Sequence, residues 1–241
     1  MSSPTMENPT APQDAIEPLK TALQSSPPQK QLPLIQTLIT AGEPGYPVLV
    51  DFLKTHGDAP PTLATGRAYQ YLYGVTDATV EQFLAEHFPK GIVPLSPDCQ
   101  GDYGELQTQL AAQDFEAADR LTLHHLCELT SPEAVKRKWL YFTEVAQLPK
   151  VDLQTLDQLW QIYSEGKFGF TPQRQIWLGV GRNWERLWPK IAWKKANVWT
   201  RYPGEFIWDL SAPPGHLPLS NQLRGVRMME ALLNHPAWVS E

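Results

Sequence analysis

The sequence predicts an all-α protein in which a regular helical half precedes an aromatic-rich half. Apolar residues recur at helical spacing along most of the 241 residues, and the alternating patterns of strands are sparse. Stretches rich in proline and glycine divide these patterns into short helices. All nine tryptophans lie at or beyond Trp139, so the two halves differ in composition as well as in pattern.

Five short helices are predicted in the first half, over residues 15–25, 30–41, 45–56, 62–73 and 77–87. In the second of them, Leu32, Ile35 and Leu38 lie at helical spacing. Breaks such as Gly42-Glu43-Pro44-Gly45 end one helix and start the next. Helix pairs that recur about every 30 residues favour a HEAT-like stack or a helical bundle, with a scaffold or docking role by default.

A stretch rich in proline and glycine at residues 89–97 marks the predicted domain boundary. The predicted organisation is a disordered tail at 1–14, an N-terminal helical bundle at 15–90 and a core domain at 97–241. The N-terminus has neither a signal peptide nor an Arg-rich transit pattern. No apolar run reaches the roughly 18 residues of a membrane span, so we expect a cytoplasmic protein.

Further helices are predicted near 103–112 and 114–129, from Pro132 through Ala146, from Leu153 to Gly166, from Thr171 to Gly179 and over 218–234. In the helix that starts at Pro132, Val135, Trp139 and Phe142 share one face. Thr171 is the expected N-cap of its helix, with a proline in the first turn.

Residues 197–217 form the most unusual segment of the second half. Their prolines and glycines exclude a single helix, yet Trp199, Tyr202, Phe206 and Trp208 make the segment too aromatic for a polar linker. Long loops in compact domains are often functional, which favours a lid or moving wall over a ligand. A self-packed Ω-loop explains the same composition equally well.

The segment 182–201 is basic within an acidic chain. It holds six basic residues and one acid, although the whole chain has a formal net charge of −6, and tryptophans are interleaved with the basic residues. A general nucleic-acid-binding protein usually carries a basic domain overall, so an anionic, aromatic ligand fits this pattern better. A solvated charged face is the alternative.

Two arginines on the last predicted helix, Arg224 and Arg227, are spaced three residues apart. Helical geometry places them side by side at the edge of an apolar stripe that includes Leu223. Adjacent like charges need compensation, either from acids such as Glu230 or Asp209 or from a ligand carboxylate or phosphate, which arginine binds in a bidentate manner.

Catalytic motifs are missing from the sequence, which favours a binding protein over an enzyme. Nucleotide-binding glycine loops, zinc-protease motifs and serine-hydrolase motifs do not occur. Cys99 and Cys127 are expected as reduced thiols. The side chains of His124-His125 face apart on a helix, which disfavours shared metal ligation, and His216 and His235 are expected to be surface or capping groups.

Several long motifs of the second half resemble those of the genomes-uncoupled-four family. The motifs are Arg137-Lys138-Trp139-Leu140-Tyr141-Phe142, Gly166-Lys167-Phe168-Gly169-Phe170, Leu187-Trp188-Pro189-Lys190-Ile191-Ala192-Trp193, Trp208-Asp209-Leu210-Ser211-Ala212-Pro213 and Asn221-Gln222-Leu223-Arg224-Gly225-Val226-Arg227. The resemblance is dense over residues 100–241 and looser before them.

The resemblance implies a porphyrin-binding regulator of magnesium chelatase in chlorophyll biosynthesis. Members bind protoporphyrin IX and Mg-protoporphyrin IX, act with the large (H) subunit of the chelatase and stimulate magnesium insertion without catalysing it. Their pigment domain is all-helical and shaped like a cupped hand, and in cyanobacterial members a small helical bundle precedes it. The missing transit peptide fits a cyanobacterial origin better than a plastid one, and partial thylakoid association is left open.

The predicted ligand-binding residues combine the two arginines with the aromatic and apolar residues of the core domain. They are Arg224, Arg227, Trp139, Phe142, Val145, Phe170, Trp193, Trp199, Tyr202, Phe206, Trp208 and Leu223. Tyr202 departs from the family pattern, which has tryptophan there. No resident cofactor is expected, and a nucleic-acid-binding protein or a scaffold that binds no pigment remains the alternative function.

Overall fold

The computed structural model describes residues 12–57, 59–219 and 226–239 and confirms the all-α prediction. The chain divides into two compact units after His87. Strand structure in the described ranges is limited to one two-stranded hairpin. No helix in these ranges is long and apolar enough to cross a membrane.

The first unit contains five α-helices among its described residues. They are α1 (Pro12–Ser25), α2 (Pro28–Ala41), α3 (Tyr46–His56), α4 (Leu63–Tyr73) and α5 (Ala78–His87). Helix α4 packs against α2, α3 and α5, and Leu38, Leu49 and Leu53 are fully buried in the core. Thr62 caps α4 by accepting a hydrogen bond from the Thr65 amide.

The second unit contains eight α-helices and the hairpin among its described residues. They are α6 (Gly104–Ala111), α7 (Phe115–Glu128), α8 (Pro132–Arg137), α9 (Phe142–Val145), α10 (Lys150–Ile162), α11 (Phe170–Gly179), α12 (Trp184–Lys190), β1 (Lys194–Lys195), β2 (Val198–Trp199) and α13 (Arg227–Leu233). Helix α13 packs against α9 and α11, and α6 packs against α7 and α10. Trp160 of α10 is buried between Phe115 and Phe168. The sequence patterns did not indicate α12 or the hairpin.

The single helix expected from Pro132 through Ala146 is wrong, because the chain turns sharply at Lys138. This residue adopts a left-handed conformation (φ 59°) and ends α8, and Tyr141 is extended before α9. Two short helices therefore replace one long helix. As a result Val145 is fully buried, whereas Phe142 is 45% exposed.

The helix expected over 218–234 does not begin at residue 218, because residues 218 and 219 are not helical; in the described part of this range, α13 covers Arg227–Leu233. The carbonyl of Pro218 accepts a hydrogen bond from the Gln173 side chain, and the amide of Leu219 donates one to the buried carboxylate of Asp119. The backbone groups of Pro218 and Leu219 therefore hydrogen-bond to side chains distant in sequence, where the expected helix would begin. Residues 220–225, with Leu223 and Arg224, lie outside the described residues.

Helix α11 begins two residues earlier than the sequence indicates. The N-cap is Gly169 (φ 127°), not Thr171. Thr171 lies in the first turn, and both its amide and its hydroxyl donate to the carboxylate of Asp157 on α10. A Cβ atom at position 169 would lie 2.6 Å from that carboxylate, so glycine fits both the backbone conformation and the space.

Candidate functional site

A surface pocket between α9 and α13 is the candidate ligand site. Its volume is about 370 Å³, and it is lined by Phe142, Arg227, Glu230, Ala231 and Asn234. The Phe142 ring provides an exposed apolar surface, and the guanidinium carbon of Arg227 lies 5.6 Å from the centre of that ring. A half-exposed ring beside a cation suits a ligand with an apolar body and an anionic edge.

An ion pair next to the pocket fixes the position of α9. Arg137 at the end of α8 donates to both carboxylate oxygens of Glu144, at 2.8 and 2.7 Å. Glu144 also accepts the Tyr141 amide at 2.7 Å. Burial raises the pKa of Glu144, but the Tyr141 amide and Arg137 outweigh it and hold the pKa below its usual range. The ionised Glu144 carboxylate, bonded to Arg137 and to the Tyr141 amide, thus holds the start of α9 in place, with Phe142 at the pocket.

The charged groups of the pocket lie on one face of α13. Arg227, Glu230 and Asn234 follow one another by three and four residues. Arg227 forms no ion pair with an acid of the described ranges, and Glu230 is exposed at the pocket wall. The side-chain amide of Asn234 donates a hydrogen bond to the backbone carbonyl of Glu230 at 3.0 Å, just after the end of the helix. The pocket therefore has one open cation and one open carboxylate.

Four tryptophans form a continuous stack elsewhere in the second unit. The centroid distances are 4.8 Å from Trp177 to Trp184, 5.2 Å from Trp184 to Trp188 and 5.7 Å from Trp188 to Trp193. Trp177, Trp188 and Trp193 are buried, and Trp199 tilts onto Trp188 at 5.5 Å. These indoles pack α11, α12 and the hairpin together, so they contribute a rigid core.

The aromatic segment that follows is anchored at its C-terminal end. The amide of Gly169 donates to the carbonyl of Leu217 at 3.0 Å, and the amide of Gly215 donates to the carbonyl of Lys167 at 2.8 Å. Trp193 Nε1 donates to the carbonyl of His216 at 2.8 Å. At the C-terminal end of the segment 197–217, these bonds favour the self-packed Ω-loop interpretation over a freely moving wall.

His216 is fully buried, which corrects the expectation of a surface or capping group. Its Nδ1 lies 2.7 Å from the carbonyl of Ile191, and its Nε2 accepts the Ile207 amide at 3.1 Å. These partners fit a neutral ring with the proton on Nδ1. Burial lowers the pKa of His216, against the smaller opposite effect of the Ile191 carbonyl. His235 does act as a cap, since its Nδ1 accepts the Ala237 amide.

A buried carboxylate links α7 to both ends of the aromatic segment. Asp119 is 2% exposed, accepts the Leu219 amide and faces the hydroxyl of Tyr202. Burial raises the pKa of Asp119 to about 7, although Leu219, Tyr202 and Arg120 act to lower it. Burial, with the nearby Asp119 carboxylate as a smaller cause, raises the pKa of Tyr202 to about 12.

The structure distributes the sequence-predicted site residues over separate places. Phe142 and Arg227 meet at the pocket, while Trp139 lies beside Arg137 and Tyr141. Tyr202 and Trp208 both contact Phe206. Four of the predicted site residues have buried side chains, namely Val145, Phe170, Trp193 and Phe206. Sequence patterns missed Ala231 and Asn234, although both follow Arg227 at helical spacing.

The basic segment has a charged surface, and of its four tryptophans two are buried and two are half-buried. Arg186, Lys190 and Lys195 are exposed, whereas Trp188 and Trp193 are buried. Lys194 donates to Glu185 at 2.7 Å and lies over Trp199. A single-strand-binding surface would need exposed rings for base stacking. Groups of histidine, cysteine and acidic side chains that could hold a metal ion do not occur in the described part of the chain.

Two family models match the chain over most of its length. Residues 96–236 match the GUN4-like family, and residues 8–89 match the ARM-like repeat domain described as GUN4-N terminal. A solved structure of GUN4 from Chlamydomonas reinhardtii superposes with a TM-score of 0.56 at 40% identity, covering 61% of this chain and 97% of that one. Ligand-free Arabidopsis thaliana GUN4 gives a TM-score of 0.53 at 38% identity, covering 58% of this chain and 99% of that one.

Curated relatives extend the similarity to nearly the whole chain. A Ycf53-like protein from Synechocystis sp. is 48% identical over 226 residues, which cover 93% of this chain and 97% of that protein. The chloroplastic tetrapyrrole-binding protein of Arabidopsis thaliana is 38% identical over 144 residues, covering 56% of this chain and 54% of that protein. The resemblance noted in the sequence is confirmed: this chain belongs to the GUN4-like family.

Proposed function

We propose that this protein binds tetrapyrroles, namely protoporphyrin IX and Mg-protoporphyrin IX, at the pocket between α9 and α13. The observation that carries the proposal is the half-exposed Phe142 ring beside the open guanidinium of Arg227. The name of the Arabidopsis relative, a tetrapyrrole-binding protein, supports the ligand class. Porphyrins of this kind combine a flat apolar ring with two propionates on one edge, which matches the two properties of the pocket.

In the proposed complex, Phe142 and Ala231 contact the macrocycle and Arg227 binds a propionate. Burying a few hundred Å² of ligand at roughly 25 cal/mol per Å² contributes several kcal/mol, before the cost of ordering. Arg224 and Leu223 remain proposed contacts on sequence grounds. Trp139, Trp199, Tyr202 and Trp208 remain proposed as aromatic walls. Val145, Phe170, Trp193 and Phe206 are buried and would contact a ligand only if the domain opens.

We further infer that the protein stimulates magnesium chelatase through the large (H) subunit and performs no chemistry itself. The sequence has no nucleotide-binding glycine loop and no hydrolase motif, and membership of the GUN4-like family supports a regulatory role. The pocket would present or remove a poorly soluble pigment for the chelatase. We propose that this activity takes place in the cytoplasm of a cyanobacterium, since the Synechocystis relative comes from such an organism, and peripheral thylakoid association is part of the same proposal.

Binding can be tested by titrating the full chain with protoporphyrin IX and following tryptophan emission. We expect Arg227→Ala to weaken binding about five- to thirtyfold, equivalent to about 1–2 kcal/mol, because a charge-assisted contact at an exposed site is lost. Arg186→Ala removes another exposed arginine, on α12, and should leave the affinity unchanged. Equal affinities of the Arg227 variant and the wild type would remove the pocket from the proposal.

Phe142 allows a second matched comparison in the same titration. The ring of Tyr141 is adjacent in sequence and similarly exposed, at 47% against 45% for Phe142, but it packs on Arg137 and does not line the pocket. Phe142→Leu should weaken binding more than Tyr141→Leu. Activation is tested in a steady-state magnesium insertion assay, where the protein should raise the rate only with the complete chelatase. An unchanged rate over a tenfold porphyrin range would contradict a role in chelatase activation.

A further inference from the structure

Exposed basic residues on α12 and the hairpin form a charge feature that the pocket between α9 and α13 does not use. The residues are Arg182, Arg186, Lys190 and Lys195, and together with Val198 we call them the cationic surface. None of them lines the pocket. Within the described ranges, no ion pair joins any of these four basic side chains to an acid, whereas Lys194 pairs with Glu185, the one acid of the segment 182–201. The four charges are therefore open to a partner.

Two of these charges lie close together on α12. Arg186 and Lys190 are four residues apart on the helix, and both are exposed. Like charges at this spacing repel each other and weaken a helix. Arg186 also stands in the first turn of the helix, where the positive end of the helix dipole disfavours a cation. Carboxylates that a partner places beside these two side chains would relieve both costs.

Arg182 is held in position before any partner binds. Its backbone is left-handed (φ 58°), a conformation that is uncommon for a residue with a side chain. Its amide donates to the carbonyl of Trp177 at 2.8 Å, and its guanidinium carbon lies 5.5 Å from the centre of the Trp177 ring. A guanidinium fixed in this way loses less conformational freedom on binding, and its fork of donors matches a carboxylate. Arg182 is thus a preformed carboxylate contact.

The hairpin adds an exposed apolar side chain to these charges. Lys195 and Val198 are opposite each other in the strand pair and share one face, and Val198 is 65% exposed. The other face carries Lys194 and Trp199, and Trp199 tilts onto the buried Trp188 of α12. The two turn residues have φ values of 47° and 65°, the positive values that a type I′ turn requires. A firmly packed hairpin therefore presents valine and lysine together to solvent.

This combination favours a protein segment over other anionic partners. Arginine beside an apolar side chain on a rigid support is typical of the energetically important part of protein interfaces. Single-stranded nucleic acid stacks its bases on exposed rings, and the tryptophans of this segment are buried or half-buried. An extended anionic bilayer would also meet the rest of a chain whose net charge is −6, whereas a short acidic segment meets the cationic surface alone.

We propose that the cationic surface docks an acidic segment of a partner protein. Its carboxylates bind Arg182, Arg186 and Lys190, and one of its apolar side chains packs on Val198. This inference goes beyond tetrapyrrole binding and does not depend on it. Since the cationic surface shares no residue with the lining of the pocket, pigment and partner can be bound at the same time. Complementary charge makes such docking sensitive to salt.

The test measures binding of the full chain to a fluorescein-labelled amphipathic peptide with glutamates four residues apart and leucines on its other face. A matched peptide carries glutamine in place of each glutamate. The wild type should bind the glutamate peptide at least about tenfold more tightly, and this affinity should fall as salt is raised from about 0.05 to about 0.3 M. The double variant Arg186→Glu/Lys190→Glu should weaken binding at least about tenfold, and Val198→Ser about threefold.

Lys30→Glu/Lys90→Glu is the matched control, because it changes the net charge by the same amount at exposed positions outside the cationic surface. It should weaken peptide binding by less than about twofold. Unchanged protoporphyrin IX affinity and circular dichroism would show that the Arg186→Glu/Lys190→Glu protein is folded. Equal wild-type affinities for the two peptides, or equal losses in the two double variants, would overturn the proposal.

Two further probes separate the other classes of partner. Vesicles of phosphatidylglycerol and a single-stranded oligonucleotide are titrated under the same conditions as the peptides. Binding of either one that depends on Arg186 and Lys190, without binding of the glutamate peptide, would replace the protein partner by a lipid or nucleic-acid surface and overturn the proposal. A wild type that binds the glutamate peptide but no porphyrin would remove the proposed tetrapyrrole function and leave this inference standing.

Discussion

Substituting the buried Asp119 by asparagine should remove a pH dependence from the stability of the second unit. Burial raises the pKa of Asp119 from 3.8 to about 7, so the folded state holds a proton that the unfolded state has already lost. The resulting stabilisation is complete below about pH 4 and is lost as the pH rises through 7. Between pH 5 and pH 8 the wild type should therefore lose about 3 kcal/mol through this group, at about 1.4 kcal/mol per pKa unit.

Asparagine keeps an oxygen that can accept the Leu219 amide but carries no charge. The Asp119→Asn variant should match the wild type at pH 5 to within about 1 kcal/mol and exceed it by several kcal/mol at pH 8. Other shifted groups, including His216 and Asp157, are common to both proteins and cancel in the difference. The charged and polar neighbours of Asp119 are Arg120, Glu116 and Tyr202, and all of them are retained.

Urea unfolding between pH 5 and pH 8 measures this difference. Because all nine tryptophans belong to the second unit, their emission follows that unit alone. Glu105→Gln, which neutralises an exposed carboxylate on α6, should unfold in parallel with the wild type at every pH. If the unfolding free energies of Asp119→Asn and the wild type changed equally with pH, Asp119 would ionise at an ordinary pH in the folded protein. Burial would then not raise the pKa of Asp119, and this explanation would be wrong.

Two further outcomes are expected from the packing of the second unit. Trp193→Phe should destabilise that unit by about 2–4 kcal/mol, because it leaves a cavity and deprives the buried His216 carbonyl of its donor; urea unfolding would check this, and an unchanged midpoint would contradict it. A fragment of residues 88–241 should bind protoporphyrin IX within about twofold of the full chain, since the pocket lies wholly in that unit. A fragment that is folded by circular dichroism yet does not bind would assign part of the site to the first unit.

The helices of the first unit were largely predictable because their signals are local. Apolar spacing and the breaks around Gly42 and Pro60 place α1 to α5 to within a few residues of their observed bounds. The same holds for α6 and α7, whose start is capped by Asp114. The proposed limits of the three domains stay a prediction. The all-helical class depended only on these local patterns.

Two of the errors occur where side chains distant in sequence form hydrogen bonds with the backbone, whereas the helix expected from Pro132 is interrupted by the left-handed turn at Lys138. The amide of Leu219 donates to Asp119, 100 residues earlier in the chain, and the carbonyl of Pro218 is taken by Gln173. Neither interaction has a signature in the sequence near residue 218. Asp119 itself belongs to an acidic run with Asp114 and Glu116 that is typical of a helix start, so its burial was not visible. His216 was misplaced for the same reason, because its partners come from Ile191 and Ile207.

The tryptophan-rich composition indicated the half of the chain that contains the candidate pocket, but the tryptophans themselves do not line that pocket. Trp177, Trp188 and Trp193 are buried against other rings and so have little surface left for a ligand. The pocket instead depends on one phenylalanine exposed by the turn at Lys138 and one arginine at the start of α13. A rigid indole core can hold α11 and α12 while α9 and α13 present the pocket, because the helix pairs are joined by packing of α11 against α13. Substitutions in the stack should therefore act through stability, and substitutions at the pocket through affinity.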